Sequence, residues 1–328
     1  MMQARKNKEI AEALIGAQTI AICSHVNPDG DTVGSALTMR IALEKMGKEV
    51  SLFCADKIPD NLMFLPGAED FRTRDGITGM YDLLLAVDVS DRSRLGECDL
   101  LLEKCARTAQ IDHHPTNCGY ADINSIDGEA AATCVIIWDQ LKQLTAEPDR
   151  DMAICMYTGI STDTGNFSFS CTNSEAFSVM SELMRIGLPL QDLNRRLFRE
   201  KSRPQVLLLG RALNSIRYLA DGKLAVMTLT LQDFSDCNAL QEHADTLVNY
   251  GMDTEHAEMA LLARETPDGK IKMSLRAAAP QTVSDIARMY GGGGHPQASG
   301  ITMDGLLTEA TESVVSDMIK KLTGQDVR

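Results

Sequence analysis

The stretch Asp82-Leu83-Leu84-Leu85-Ala86-Val87-Asp88-Val89 decides the fold. Its apolar run shows no alternation with polar residues. A one-sided strand would alternate; an unbroken run suits a strand buried on both faces, as in a parallel sheet covered by helices.

Working outward, the same pattern recurs. Residues 19–23 read as a short apolar strand, 49–55 as another, and 109–113 as the end of a fourth. Helical spacing of apolar residues predicts helices over 6–16, 34–47, 129–144 and 151–160. Strands alternating with helices give an α/β domain over 1–190 with a doubly wound, mostly parallel sheet. The texture then changes. Residues 191–220 read as a helical connector broken near Pro204, with seven basic residues against two acidic ones. Residues 221–328 read as a smaller α/β domain with a mixed sheet. Its expected elements are a strand over 223–231, a helix over 240–251 and a hairpin, 257–264 with 270–277, about Pro267-Asp268-Gly269. A helix over 283–290, a glycine-rich loop and a helix over 306–322 follow.

The 328 residues are 44% hydrophobic and 24% charged, which excludes a wholly disordered or fibrous chain and suits two domains. Lys and Arg number 32 against 46 Asp and Glu, a net charge of −14. That balance argues against a broad basic face for duplex DNA and against an anionic membrane surface. No apolar run approaches the length of a membrane span, and Glu9, Glu12 and Gln18 interrupt the first apolar stretch, so no signal peptide is expected. Nine scattered cysteines without a Cys-x-x-Cys pair read as reduced, mostly buried thiols of a cytoplasmic protein.

The chemistry lies in polar residues at strand ends, where open α/β sheets place their sites. Ser24-His25-Val26-Asn27-Pro28-Asp29-Gly30-Asp31 follows the first strand. Its ordinary reading is a solvated turn; its functional reading is His25, Asp29 and Asp31 converging as ligands. Asp88 ends the buried run, where a carboxylate is costly unless it is capped, paired with Arg92 or Arg94, or bound to metal. Asp112-His113-His114 closes another strand. Neighbouring residues of an extended chain point to opposite sides, so one histidine can bind metal while the other faces substrate. Asp163, in Ser161-Thr162-Asp163-Thr164-Gly165-Asn166-Phe167, is a cap or a further ligand. Together these residues are the inventory of a dinuclear site. Oxygen and imidazole donors without thiolate suit Mn²⁺, with Mg²⁺, Co²⁺ or Fe²⁺ as alternatives. Four carboxylates balance two divalent cations.

The segments SHVNPDGD, VDVSDRSRLG, IDHHPTN and STDTGNF, in that order, resemble the four motifs of the DHH phosphoesterase superfamily. Gly291-Gly292-Gly293-Gly294-His295-Pro296-Gln297-Ala298-Ser299-Gly300 resembles the signature of the type 1 DHH-associated domain. The resemblance spans most of the chain, and the layout is similar to NrnA-type bifunctional oligoribonucleases and 3′-phosphoadenosine 5′-phosphate (pAp) phosphatases. It implies two domains with a cleft between them. His25, Asp29 and Asp88 would hold one metal; Asp31, Asp88, His113 and Asp163 the other. His114 would stabilise or protonate as a catalytic residue, and Asp112 would orient a histidine. Arg276, Gly292, Gly293, Gly294, His295 and Ser299 would bind substrate. The expected reaction is hydrolysis of short single-stranded RNA to 5′-mononucleotides and of pAp to AMP. A cyclic di-AMP or pApA phosphodiesterase shares these motifs, and a non-catalytic nucleotide sensor is the rival from another class. The resemblance also allows a homodimer.

Overall fold

A computed structural model describes residues 2–324. The chain divides into two compact units, Met1–Glu200 and Lys201–Arg328. The division falls inside the segment 191–220.

In the first unit the strands β1 (Thr19–Cys23), β2 (Glu49–Phe53), β3 (Tyr81–Val87), β4 (Cys105–Asp112) and β5 (Ile123–Ile126) form one parallel sheet in the order β2-β1-β3-β4-β5. The unbroken apolar run of β3 has the cause expected of it. Leu83, Leu85 and Val87 face one core with Ile20, Ile22 and Ile111, whereas Leu84 and Ala86 face another with Ala21, Cys23 and Phe53. The helices are α1 (Met2–Gly16), α2 (Gly30–Lys45), α3 (Leu101–Lys104), α4 (Thr133–Gln143), α5 (Arg150–Asp163), α6 (Ser174–Ile186) and α7 (Leu190–Asn194). Residues of α1, α2, α4, α5 and α6 build the larger core; the 3₁₀ turns of Arg92–Leu100 and α3 cover the other face. The expected α/β class and parallel sheet hold. Strand β5 and helix α6 extend beyond the elements the sequence predicted. Chain order reverses between β1 and β3, so their C-terminal ends form the switch point at which such sheets bind ligands.

Second-unit helices are α8 (Arg203–Asn214), α9 (Leu231–Cys237), α10 (Asn249–Met252), α11 (Ser284–Met289) and α12 (Leu307–Thr323). Its strands β6 (Arg217–Leu219), β7 (Leu224–Leu229), β8 (Met259–Glu265), β9 (Ile271–Ala277), β10 (Gly293–His295) and β11 (Ala298–Met303) form a mixed sheet in the order β10-β11-β9-β8-β7-β6. Three local expectations change. Residues 217–219 are a strand rather than helix. The helix expected over 240–251 is two short turns, Gln241–Ala244 and Asn249–Met252, separated by 245–248. The glycine-rich loop contains β10, paired antiparallel with β11. All nine thiols are free and six are buried, with Cys118 and Cys171 exposed. Among the described residues no helix is long and apolar enough to cross a membrane.

Candidate metal centre

Three loops at the C-terminal edge of the parallel sheet, together with the C-terminal end of α5, bring the centre together. After β1 the chain turns through Ser24–Asp29 into α2. Asp29 caps that helix, accepting hydrogen bonds from the N–H groups of Asp31 (3.1 Å) and Thr32 (3.2 Å). The cap fixes where Asp31 starts the helix and turns its side chain inward. Asp31 is fully buried; its carboxylate accepts the first two N–H groups of α4, from Thr133 (2.5 Å) and Cys134 (3.0 Å). A carboxylate at a helix N-terminus is favoured by the orphan donors and the helix dipole.

Close helix packing makes this possible. A Cβ on Gly34 of α2 would lie 2.4 Å from the Cys155 carbonyl of α5. One on Gly159 of α5 would lie 2.4 Å from the Cys134 sulfur and 2.6 Å from Asp31 Oδ1. One on Gly30 would lie 2.3 Å from Thr162 Oγ1. Three glycines thus let α2 and α5 approach until Asp31 near the start of one and Asp163 at the end of the other meet the same histidine. The sequence reading missed this role; Gly30 and Gly34 lie one helical turn apart, which was the available signal.

Asp88 follows β3 with φ of +60°, a left-handed conformation uncommon outside glycine, Asn and Asp. Its N–H donates to the Ile111 carbonyl (2.9 Å), and its Oδ1 accepts from the Thr133 hydroxyl (2.9 Å). The side chain is 2% exposed and central. His25 Nε2 lies 3.4 Å from its Oδ2 and 3.5 Å from Asp29 Oδ2. His113 Nε2 lies 3.6 Å from its Oδ1, 3.1 Å from Asp163 Oδ2 and 4.0 Å from Asp31 Oδ2. The other ring nitrogens lie against carbonyls, His25 Nδ1 at 2.7 Å from Val26, with Arg94 Nη2 also 2.9 Å away, and His113 Nδ1 at 3.2 Å from Ala130. With protons on those Nδ1 atoms, both Nε2 lone pairs are aimed among the carboxylates, the usual arrangement of ligating histidines.

The two histidines of the Asp-His-His segment do not diverge. Strand β4 ends at Asp112, so the alternation of an extended chain stops there. The rings stand edge to face with centroids 4.8 Å apart, and His114 Nδ1 also lies 3.6 Å from Asp88 Oδ1. Of the two, His114 is the one that buried Asp112 orients, at 2.8 Å; Asn117, whose role the sequence reading missed, donates to Asp112 Oδ2 at 2.6 Å.

The electrostatics fit cations. Burial disfavours charge on His25, but Asp29 and Asp88 outweigh it and push the imidazole up to about 10. Burial likewise opposes charge on His113, and Asp163, Asp31 and Asp88 carry it to about 10. Burial raises the Asp31 carboxyl well above the usual range, reinforced by Asp88 and Asp163, and burial raises Asp163 as well. Asp29 moves down: His25 and the backbone donors overcome its burial. Without a metal, such a group of acids takes up protons to relieve its charge; divalent cations supply that charge directly. Three sets of donors could each hold an ion, with ligand atoms within 4.8 Å of one another: His25, Asp29 and Asp88; Asp31, His113 and Asp163; and Asp88, His113 and His114.

In the second unit, Arg276 of β9 pairs with Ala298 of β11, which pairs with His295 of β10. Directly opposed residues share a sheet face, so Arg276 and His295 flank Ala298, two strand spacings or about 10 Å apart. The next row, Ser274, Gly300 and Gly293, is small. Arg276 is half-buried and donates to the Leu275 carbonyl (3.0 Å); His295 is exposed. Ser299 is different. It is 5% exposed and its hydroxyl donates to the His295 carbonyl (2.9 Å), so it ties the β10–β11 turn. Backbone crowding explains two of the glycines: a Cβ would meet the Gly300 carbonyl at 2.1 Å from Gly292, and the Ala298 carbonyl at 2.5 Å from Gly294, which has φ of +142°.

Comparison with known proteins accounts for both units. Residues 19–160 match the DHH family, N-terminal domain, and residues 221–324 match the DHHA1 domain. The chain is 33% identical over 321 residues to the bifunctional oligoribonuclease and PAP phosphatase NrnA of Thermus thermophilus, covering 97% of this chain and 95% of that one. It is 26% identical over 290 residues to the protein of the same description from Bacillus subtilis, covering 87% and 89%. An exopolyphosphatase-related protein of Bacteroides fragilis has the same fold, with a TM-score of 0.88, 25% identity, and coverage of 97% of this chain and 96% of that one.

Proposed function

The chain belongs to the DHH family and carries a DHHA1 domain, and on that footing we propose that it is a metal-dependent phosphoesterase that hydrolyses short single-stranded oligoribonucleotides to 5′-mononucleotides and pAp to AMP. The observation that carries this reading is the convergence of His25, Asp29, Asp31, Asp88, His113 and Asp163 on one spot, with Asp88 central to it. The activities named for the Thermus and Bacillus relatives supply the substrate class.

In this reading His25, Asp29 and Asp88 hold one cation, and Asp31, Asp88, His113 and Asp163 hold a second. The hard oxygen and imidazole donors favour Mn²⁺. Bound there, the cations would neutralise phosphoryl oxygens and acidify water. The remaining work falls to side chains. Asp112, held by Asn117, fixes His114 and favours its protonated form. His114 thus binds a phosphoryl oxygen and gives a proton to the departing one. Arg276 and His295 receive a substrate phosphate on the open rows of their sheet. Free thiols throughout the chain support work in the reducing cytoplasm.

The test is a substrate panel with Mn²⁺: pAp, a 5′-phosphorylated RNA trimer, pApA, cyclic di-AMP and pyrophosphate. Hydrolysis of pAp and the trimer is expected. Cyclic di-AMP turned over well ahead of both would move the assignment to a cyclic dinucleotide phosphodiesterase. Pyrophosphate as the sole substrate would end the proposal.

A further inference from the structure

The loop that follows Asp163 is tightly fastened yet leaves aromatic surface in solvent. Asn166 N–H donates to the Ser161 carbonyl (2.7 Å), and Ser168 and Phe169 N–H groups both donate to the Thr164 carbonyl (2.9 Å each). The Thr164 hydroxyl accepts from Phe167 N–H (3.1 Å), and Cys171 Sγ returns to within 3.6 Å of the Asp163 carbonyl. Gly165, Asn166 and Phe167 all have positive φ, of +54°, +53° and +65°. A bulky aromatic in that region is a strained choice that surrounding bonds must hold. Phe167 stacks on Phe177 of α6, centroids 5.2 Å apart and planes 27° from parallel.

Of the chain's eight phenylalanines, Phe169 and Phe177 are the two with more than half their surface exposed, at 59% and 55%. Phe169 is not loose. Its ring lies over Gly165, with carbons 2.4 Å from where a Cβ there would stand. Two residues span at most about 7 Å, so the ring is held close to the Asp163 backbone. An exposed phenyl ring fixed on the loop that leaves Asp163 offers what a nucleobase needs: a flat apolar surface that any base can cover. Its continuity with the centre, through a loop closed on Asp163 itself, favours the substrate as occupant over a separate protein partner.

We propose that Phe169 is a nucleobase-stacking platform that holds the base of a nucleotide whose phosphate lies at the aspartate–histidine centre. This rests on the phosphoesterase reading and deepens it: the ring makes the site prefer phosphoesters that carry a base.

The test compares wild type, F169A and F169W on a 5′-phosphorylated RNA dinucleotide and on the same compound with both bases removed, all with Mn²⁺. One aromatic–base contact predicts a KM for F169A raised roughly 5- to 150-fold on the dinucleotide, with kcat within about threefold. F169W should restore KM, and the abasic compound should show the same KM with all three proteins. AMP affinity, measured calorimetrically, should fall in F169A and return in F169W. Equal losses on both compounds, or unchanged KM and AMP affinity, would overturn the inference while leaving the phosphoesterase reading intact. So would a change in oligomeric state by light scattering with KM unaltered, which would make the ring a contact between copies. Wild type inactive on both compounds would bring down the phosphoesterase reading itself.

Discussion

Replacing Asp88 by Asn isolates charge from shape. Asn is nearly isosteric and tolerates the left-handed backbone, φ +60°, that this position demands. Its side-chain oxygen can still accept the Thr133 hydroxyl now 2.9 Å from Oδ1. What disappears is the negative charge lying 3.4 Å from His25 Nε2 and 3.6 Å from His113 Nε2. In the wild type, Mn²⁺ at a hundred times its Kd stabilises by about 2.7 kcal/mol per site. For a unit of this size that is a rise in Tm of roughly 5–10 °C per site. D88N removes a ligand from both proposed sites, so most of this rise should vanish. The metal-free variant should stay close to metal-free wild type in stability, because relief of the repulsion with Asp31 and Asp163 is offset by loss of the attraction to His25 and His113. Loss of several kcal/mol of charge stabilisation predicts turnover lower by about 10³-fold or more. Thermal melts with and without Mn²⁺, with initial rates on pAp, read all three quantities. A variant that keeps both the full metal-induced rise and the full rate would refute the shared-ligand argument.

G159A should destabilise by about 1–3 kcal/mol in urea denaturation and weaken Mn²⁺ binding, because the added carbon falls 2.4 Å from Cys134 Sγ and 2.6 Å from Asp31 Oδ1; a gain in stability, as helix propensity alone predicts, would contradict the packing account. Asp149 caps α5, accepting from Met152 N–H (2.9 Å) and pairing with Lys45 (2.6 Å), so D149A should cost about 1 kcal/mol, mostly the cap since the exposed pair adds little. Although burial opposes it, Lys45 and the Met152 N–H hold the Asp149 carboxyl below its ordinary value of 3.8. Its stabilisation is therefore complete above that pH and disappears as pH falls through the folded-state value. Denaturation curves of D149A and wild type should differ near pH 6 and converge in acid, and a gap that widens in acid would reverse the sign. R276A should raise KM for pAp with kcat largely kept; an unchanged KM would leave Arg276 a surface residue of β9.

The sequence was most readable where one physical constraint dominated. The apolar core of the run, 83–87, had to be a strand buried on both sides, although Asp82 is exposed and the strand stops before Asp88; carboxylates and histidines at strand ends had to be capped, paired or bound. What escaped depended on partners distant in the chain. Residues 293–295 carry little strand propensity, and β10 exists because β11 supplies its hydrogen bonds. Strand β5 is four residues long at a sheet edge, too short for alternation to stand out. The paired turning of His113 and His114 follows from where β4 stops. The use of Thr133 and Cys134 N–H groups to hold Asp31 needed the close approach of α2, α4 and α5, which only the packed glycines reveal.

The segments that bring the centre together are widely spaced along the chain, and that spacing sets an order of biosynthesis. His25 leaves the ribosome first and Asp163, the last residue of α5, comes last among the proposed ligands. At about 5–20 residues per second the interval is roughly 7–28 s. Once Asp88 has been made, a nascent chain holds the whole of the first proposed set, His25, Asp29 and Asp88, while the second set, Asp31, Asp88, His113 and Asp163, still lacks its last member. Loading of the second site therefore waits on the end of α5, and the centre can mature inside the first unit before the second unit's sheet has been synthesised.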